Sequence, residues 1–353
     1  MVLLKQTINS MTGQNQAIRA QAKERLDQLI MPHWALGRMM DLALDLAGIC
    51  ESVRPGVKRK TIVVMAGDHG ITAAGVSLFP QEVTVEMVRG FTNGVAGINV
   101  LARQAGAEVK VVDMGVAGDL SALAKGGNIL DRKIAAGTDD FTKGPAMSRD
   151  QAVRALEAGI SVAQELAEST DLFGTGDMGI GNTSPSSAIV ATLCQLPLAE
   201  VVGRGTGLDD TQLEHKIAVL ERALTLNNPD PTDPIDVLSK VGGFEIAGIA
   251  GLILGAAALK KPTIIDGFIS TAAALIAGRL APESKEYMIA AHRSVEKGQV
   301  VALADLGKEP LLDLQFRLGE GTGAAVAMNL VEGAVAILTE MATFSEAAVS
   351  EAK

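Results

Sequence analysis

The 353-residue chain is poor in aromatic residues, cysteine and histidine. Aromatic residues make up only 3% of it, so the core must be built from aliphatic side chains, which suit close packing of helices on a sheet. The two cysteines lie in apolar surroundings and predict buried free thiols in a reducing compartment, so we expect a cytoplasmic protein. The four histidines are scattered without metal-ligand spacing, and we predict no metal site.

An excess of basic charge is also missing, because the formal net charge is −10. Nucleic acids and anionic membrane surfaces bind basic patches, so we expect neither as a partner. The most apolar run, residues 246–259, is shorter than the about 20 residues that cross a bilayer. Within it, Gly251 and Gly255 would let a helix lie close against a sheet. This charge is still compatible with one small anionic ligand held by a local lysine and helix N-termini.

Short apolar runs alternate with helical segments along most of the chain. The runs predicted to be strands are residues 61–66, 108–114, 171–174, 262–266 and 287–291. Strands separated by helices indicate an α/β fold with a mostly parallel, Rossmann-like sheet flanked by helices. We expect residues 1–55 and 325–353 to form a small helical subdomain beside an α/β catalytic domain of residues 56–324.

Glycine-rich turns follow two of these segments, and ligands of open parallel sheets bind at such strand ends. Residues 174–179 match a dinucleotide fingerprint, but no acid ends a second strand about 20 residues further on, which argues against NAD. A phosphate at the N-terminus of the helix that begins near Thr183 fits better. The turn at residues 203–207 offers a second anion cradle, to which Lys216 would add a charge. For Lys216 alone, a solvated helix face is the simpler interpretation.

Two acidic residues are candidates for chemistry. Asp266 would end a strand and is followed by glycine, which suits a ribose hydroxyl, although an ordinary turn is the alternative. Glu320 lies between Gly319 and Gly321, where missing side chains let a ligand approach closely. Burial there would raise its pKa toward the range of a general base. The alternative for Glu320 is a loop at a helix N-terminus, where an acid is favoured anyway.

The neighbouring Asp68 and His69 follow the first predicted strand and suggest a catalytic dyad. We favour a structural role for both, because adjacent residues on a turn rarely face each other.

Six segments, taken together, resemble the nicotinate-nucleotide–dimethylbenzimidazole phosphoribosyltransferase family, whose members activate the lower ligand of cobamides. The segments are residues 63–75, 174–184, 235–244, 266–268, 294–298 and 317–324. The resemblance covers nearly the whole chain. It implies transfer of the phosphoribosyl group of nicotinate mononucleotide to an aromatic base, with inversion at C1′ and without a metal or redox cofactor. It also implies that Glu320 is the catalytic residue and takes the proton of the incoming base.

The resemblance further implies which residues bind the nucleotide through its phosphate, ribose and nicotinate. These residues are Gly179, Asn182, Thr183, Gly203, Gly205, Lys216, Asp266, Ser294, Gly319 and Gly321.

The expected base pocket departs from the family pattern. Phe79, Met87 and Met178 stand where benzimidazole-using members have a serine, a glutamine and a leucine, and Leu318 completes the pocket. A polar edge is therefore no longer recognised, which favours phenol or p-cresol as the base. In this respect the chain looks like the ArsA-type subunit of the phosphoribosyltransferase that activates phenol and p-cresol. That subunit works beside a paralogous subunit. The alternative is neutral drift in a tolerant pocket that still takes dimethylbenzimidazole.

Residues 31–37 also depart from the family's proline- and glycine-rich motif. In this family a dimer partner completes the active site, so the divergence suggests a heterodimer with a paralogous subunit, with a homodimer as the alternative. The competing hypothesis from a different functional class is that the chain is a non-catalytic partner subunit. Retention of Glu320 and of the phosphate turns argues against that hypothesis.

Overall fold

A single six-stranded parallel sheet organises the computed structural model, which describes residues 1–205 and 207–350. The strands are β1 (Lys60–Gly67), β2 (Ala107–Gly115), β3 (Leu130–Asp131), β4 (Leu172–Met178), β5 (Thr263–Ile265) and β6 (Met288–Ala290). Their order is β3-β2-β1-β4-β5-β6, and every neighbouring pair is parallel. The direction of winding therefore reverses between β1 and β4, the place where doubly wound sheets bind ligands.

Helices cover both faces of this sheet. Those in the described part of the chain are α1 (Val2–Ser10), α2 (Gln16–Leu26), α3 (Arg38–Ile49), α4 (Val83–Thr92), α5 (Gly97–Ala105), α6 (Ser121–Lys125), α7 (Arg149–Leu166), α8 (Thr183–Cys194), α9 (Leu198–Val201), α10 (Asp210–Asn227), α11 (Pro234–Val241), α12 (Phe244–Ala258), α13 (Phe268–Leu280), α14 (Lys297–Leu306) and α15 (Thr322–Glu340). The predicted α/β fold is confirmed.

Alternate residues of β1 belong to different layers of the core. Ile62 and Val64 pack with α2, α3, α5 and α15, whereas Val63 and Met65 pack with α7, α8, α12 and α13. Side chains along a strand point to opposite faces, and here both faces are covered. The strand is therefore an apolar run without alternation, which is typical of a buried parallel strand.

The helices α7 and α12 touch through glycines. A Cβ on Gly251 would lie 2.0 Å from the carbonyl oxygen of Leu156, and one on Gly255 would lie 2.7 Å from Cβ of Ala163. Both contacts are on α7, so the prediction that these glycines bring the helix against the sheet is wrong. The small residues instead serve a helix–helix contact.

The five predicted strands are confirmed, with β4 extending four residues beyond the predicted end at residue 174, to Met178. The short strand β3 was not predicted, because two residues carry no periodic signal. The glycine turn at residues 203–207 does not follow a strand, since the helix α9 ends at Val201 just before it.

The terminal helices pack in two places. The helices α2 and α3 pack on α15, whereas α1 packs on α7 and α12. Since α15 also packs on α5 and the sheet, the two parts of the chain share one continuous face of the core. The division into residues 1–55 with 325–353 and residues 56–324 stays a prediction, and its last three residues, 351–353, lie outside the described chain.

The helix α15 has the length and apolar character of a membrane span. Half of its apolar stretch is buried inside the protein, where it packs on α3, α5, β4 and β5. This is the packing of a core helix.

The two cysteines, Cys50 and Cys194, carry free thiols and are partly buried. Burial raises the pKa of Cys50 to about 12 and that of Cys194 to about 11. Both thiols therefore stay protonated near neutral pH, which makes them poor nucleophiles.

Candidate active site

The residue Glu320 lies on a backbone that few side chains adopt. Gly319, Glu320 and Gly321 have φ values of 81°, 62° and 95°, all in the left-handed region. For a residue with a Cβ this conformation costs energy and persists only where the surroundings enforce it. The Glu320 side chain is 5% exposed, and its Oε2 accepts a hydrogen bond of 3.0 Å from the backbone N–H of Ile98, in the first turn of α5.

The surroundings of Glu320 favour its protonated form. Burial raises the pKa of Glu320, the Ile98 N–H group lowers it in part, and the negative charge of Asp266 raises it further. A carboxylate whose pKa lies closer to neutrality is a better proton acceptor for catalysis. The structure thus supplies the burial that a general base needs here.

Two glycines of β4 make room for this loop. A Cβ on Gly176 would lie 2.4 Å from the carbonyl oxygen of Glu320, and one on Gly174 would lie 3.2 Å from Cβ of Ala324. Both glycines are inside the strand and not in a turn. The run that matches the dinucleotide fingerprint therefore serves the packing of α15 and its preceding loop on the sheet.

A buried lysine lies at the N-terminus of α8, the helix that follows β4. Lys216 of α10 is 1% exposed, and its Nζ donates a 2.7 Å hydrogen bond to Oγ1 of Thr183, the first residue of α8. The interpretation of Lys216 as a solvated residue is wrong. Burial lowers the pKa of Lys216 to about 8, while the charge of Glu296 opposes that shift. An ammonium group beside a helix N-terminus is suited to bind an anion.

A cavity of about 90 Å³ opens beside this lysine. At roughly 30 Å³ per water it has room for about three waters, the scale of a phosphate group. Five residues predicted to bind the nucleotide line it: Asn182, Thr183, Gly205, Ser294 and Gly319. Thr206, in the same predicted turn as Gly205, lies outside the described residues.

Three charged residues that the sequence did not single out line the same cavity: Asp177, Glu296 and Arg317. Burial raises the pKa of Asp177 to about 8, and the nearby charge of Asp266 adds to the rise. Asp177 lies near the end of β4, so placing the strand end at residue 174 concealed it. Glu296 touches the glycine turn, since a Cβ on Gly203 would lie 1.9 Å from its Oε2.

The residue Asp266 directly follows β5 and is fully buried. Its Oδ2 accepts a hydrogen bond of 3.1 Å from the N–H of Gly321, and its Oδ1 accepts one of 2.9 Å from the N–H of Ala324. Nε2 of His292 lies 3.8 Å from Oδ1. The carboxylate therefore faces the first turn of α15, beneath the cavity.

The side chains of Asp68 and His69 do not pair with each other. Nε2 of His69 and Oε1 of Glu245 are 2.8 Å apart, and Oδ2 of Asp68 accepts a 2.8 Å hydrogen bond from the N–H of Ala117. A Cβ on Gly179 would lie 3.1 Å from Nε2 of His69. Gly179 thus lets the loop after β4 lie on the buried histidine, which agrees with a structural role for this pair.

A second, apolar cavity of about 640 Å³ adjoins the first. Of the four residues predicted for the base pocket, Phe79 and Leu318 line it, whereas Met87 and Met178 pack on the core. Its other apolar walls are Val100, Leu101 and Phe316. A Cβ on Gly97, another lining residue, would lie 3.3 Å from Oε2 of Glu320, so this carboxylate lies directly behind the cavity wall at Gly97. Leu318 and Thr322, two positions before and after Glu320, line the cavity directly.

Known proteins resemble the chain over its whole length. A family model described as phosphoribosyltransferase matches residues 11–349. Proteins named nicotinate-nucleotide–dimethylbenzimidazole phosphoribosyltransferase are 64% identical over 353 residues in Syntrophotalea carbinolica, covering all of both chains, and 55% identical over 351 residues in Desulfotalea psychrophila, covering 99% of each. The crystal structure of CobT from Thermus thermophilus matches with a TM-score of 0.91 and 44% identity, over 95% of this chain and 100% of that one. The chain belongs to the nicotinate-nucleotide–dimethylbenzimidazole phosphoribosyltransferase family.

Proposed function

We propose that this chain transfers the 5-phosphoribosyl group of nicotinate mononucleotide to an aromatic base and so makes an α-ribotide for cobamide assembly. The observation that carries the proposal is the position of Glu320. This buried carboxylate lies beside an apolar cavity, and its loop also lines a small cavity with an anion-binding end. A reaction between an aromatic molecule and a phosphorylated sugar needs that combination.

The nucleotide phosphate would bind where Lys216 meets the first residue of α8. The ammonium of Lys216, the hydroxyl of Thr183 and the amide of Asn182 supply donors, and free N–H groups of the helix N-terminus add to them. The turn that holds Gly203 and Gly205 closes this end. Ribose and nicotinate would then extend toward Ser294, Gly319 and Gly321.

The chemistry follows from that placement. The base attacks C1′ from the face opposite nicotinate, and the bond from C1′ to the pyridinium nitrogen breaks with its electron pair going to nitrogen. The proton of the base passes to the carboxylate of Glu320. Because the leaving group departs without needing a proton, most of the catalysis is alignment of the two molecules at C1′.

Two acceptors compete for the apolar cavity. The apolar side chain of Phe79, the one of the three departing residues that lines the cavity, favours phenol or p-cresol, which would attack through oxygen. The names of the relatives favour 5,6-dimethylbenzimidazole. We propose phenol as the preferred acceptor on the ground that most side chains lining the cavity are apolar, with Arg317 and Thr322 as the polar ones among the described residues.

Assembly and location follow the same proposal. Residues 31–37 form an exposed turn before α3, so a partner subunit can reach them. We propose a cytoplasmic dimer, with a paralogous subunit as the partner and a homodimer as the alternative. Size-exclusion chromatography of the chain expressed alone separates the two, because an active homodimer would remove the need for a paralogue.

The test is mass analysis of the products that the chain alone forms from nicotinate mononucleotide and a panel of phenols and benzimidazoles. We expect an α-ribotide of one base class and one equivalent of nicotinate. Comparable turnover with every base would discard the phenol preference and keep the reaction. No product with any base would exclude an active homodimer, and absence of product also in the presence of the paralogous subunit would favour a non-catalytic partner subunit.

A further inference from the structure

We propose that Asp266 is a positioning residue for this reaction and not a ligand of the ribose: its carboxylate holds the backbone that carries Glu320. This rests on the proposed function, in which Glu320 is the proton acceptor. The sequence alone suggested a ribose contact, because an acid at a strand end followed by glycine is typical of one. The contacts of Asp266 indicate a different task.

The first argument is the strained loop. Three consecutive residues, from Gly319 to Gly321, have positive φ, and such a backbone needs surrounding contacts to persist. Asp266 supplies them on the C-terminal side of Glu320. It accepts hydrogen bonds from Gly321, the next residue, and from Ala324 in the first turn of α15. A carboxylate at a helix N-terminus is also stabilised by the helix dipole.

The second argument is access. Asp266 is fully buried, and a Cβ on Gly323 would lie 2.9 Å from its Oδ1. The residues that line the small cavity at this point are its neighbours Gly267 and His292. A ribose hydroxyl would have to displace one of them to reach the carboxylate.

The third argument is charge. The ionisable groups that face Glu320 are Asp266 at the end of β5 and Asp177 at the end of β4, and the N–H of Ile98 faces it from α5. His292 lies beside Asp266 and Arg317 lies in the same loop as Glu320. The negative charge of Asp266 raises the pKa of Glu320. Removing that charge should therefore lower the pKa of the proton acceptor.

The variant Asp266→Asn tests both effects, because it keeps the shape of the side chain but removes its charge and one acceptor. We expect kcat to fall by about tenfold to hundredfold, the cost of a misplaced catalytic group. KM for nicotinate mononucleotide should change by no more than about threefold, since no ribose contact is lost. The acid limb of the pH profile of kcat/KM for the base should move to lower pH.

The variant Thr175→Val gives a second measurement if Asp266→Asn does not fold. Oγ1 of Thr175 accepts a 3.1 Å hydrogen bond from the N–H of Asp266. Its loss loosens Asp266 but leaves the charge in place. We expect a smaller fall in kcat and an unmoved acid limb, whereas an unchanged kcat would count against positioning through Asp266.

The matched control is Asp113→Asn. Asp113 is a buried carboxylate near the end of β2 whose Oδ1 accepts a 2.9 Å hydrogen bond from the N–H of Val116, away from Glu320. This variant should lose stability and keep the wild-type acid limb. A shifted limb here would attribute the effect to general loosening of the sheet edge and would overturn the inference.

Two further outcomes are decisive. A raised KM for the nucleotide with unchanged kcat in Asp266→Asn would make Asp266 a substrate ligand and overturn the inference. The variant Glu320→Gln, measured in parallel, separates this failure from that of the proposed function. If Glu320→Gln keeps full turnover, the assignment of the proton acceptor has failed. If only Asp266→Asn behaves as wild type, the positioning role has failed.

Discussion

The two cavities of the site differ in what their walls are made of. Buried ionisable residues surround the small cavity: Asp177 and Glu296 line it, Lys216 lies behind Thr183, and each is less than 8% exposed. The large cavity is formed by apolar side chains that water reaches, since Phe79 is 47% and Leu318 is 60% exposed. A buried charge that loses its partner costs far more free energy than a trimmed apolar wall. We therefore expect the nucleotide side to resist substitution, and the base side to accept it with a change in substrate preference.

The largest effect is expected from Glu320→Gln, in the loop whose residues Arg317 and Leu318 line both cavities. The amide keeps the shape of the side chain but cannot take the proton, so kcat should fall by about 10²–10⁴-fold. Because the pKa of Glu320 is raised, wild-type activity should decline as pH falls through a value above the usual glutamate pKa of about 4.3. Steady-state kinetics across pH measures both effects.

The control for that variant is Glu332→Gln, on the outer side of α15, where Glu332 pairs with Lys60 at 2.7 Å. It should keep wild-type kinetics. Retention of kcat in Glu320→Gln would show that another group takes the proton.

A smaller effect is expected from Lys216→Met on the nucleotide side. Loss of one charged donor to the phosphate should weaken nucleotide binding by about tenfold to hundredfold. Since burial lowers the pKa of Lys216 to about 8, wild-type affinity should fall as pH rises above that value, because the ammonium loses its proton. Isothermal titration calorimetry at several pH values measures this.

The matched variant is Lys216→Arg, whose guanidinium stays charged throughout this range. It should bind with little dependence on pH. A wild-type affinity that does not decline above pH 8 would contradict the role of Lys216.

The next effect in size is expected at Gly176, which packs under the loop that carries Glu320. In Gly176→Ala the new Cβ would lie 2.4 Å from the carbonyl oxygen of Glu320, so the free energy of unfolding should fall by about 1–3 kcal/mol. Chemical denaturation measures it, and kcat should fall with it because the loop moves.

The comparison variant is Gly90→Ala in α4, where no described atom beyond the neighbouring backbone of the same helix lies within 4 Å of the new Cβ. Alanine in a helix interior should stabilise the protein by about 0.5–1 kcal/mol. Equal destabilisation of both variants would contradict the packing argument.

The smallest effect is expected on the base side, with Phe79→Ser. One half-exposed apolar contact should change the ratio of kcat/KM for phenol and dimethylbenzimidazole by about threefold to tenfold. KM for the nucleotide should stay as in the wild type. Competition between the two bases in one reaction measures the ratio, and a changed nucleotide KM would show that the two sides are not independent.

A feature of the fold or of the site can be predicted from the sequence when the residues that determine it are neighbours in the chain. The strand β1 was predictable because a strand covered on both faces is a nearly unbroken apolar run. The buried state of Lys216 was not, because only packing decides that its side of α10 faces α8. Asp266 and Gly321 are 55 positions apart in the chain, so no spacing rule could reveal their hydrogen bond.

The unusual backbone at Glu320 was predictable because its signal is local. Flanking glycines mark an unusual backbone in the sequence itself. By contrast, Met87 and Met178 were assigned to the base pocket by the resemblance, while in the structure they pack on the core.

The wall shared by the two cavities has a practical consequence. Gly205, Arg317 and Leu318 border both. An engineer who wishes to install a new acceptor should therefore start from Phe79, which belongs to the large cavity alone. Redesign at Leu318 would disturb donor and acceptor together and give variants whose defects are hard to separate.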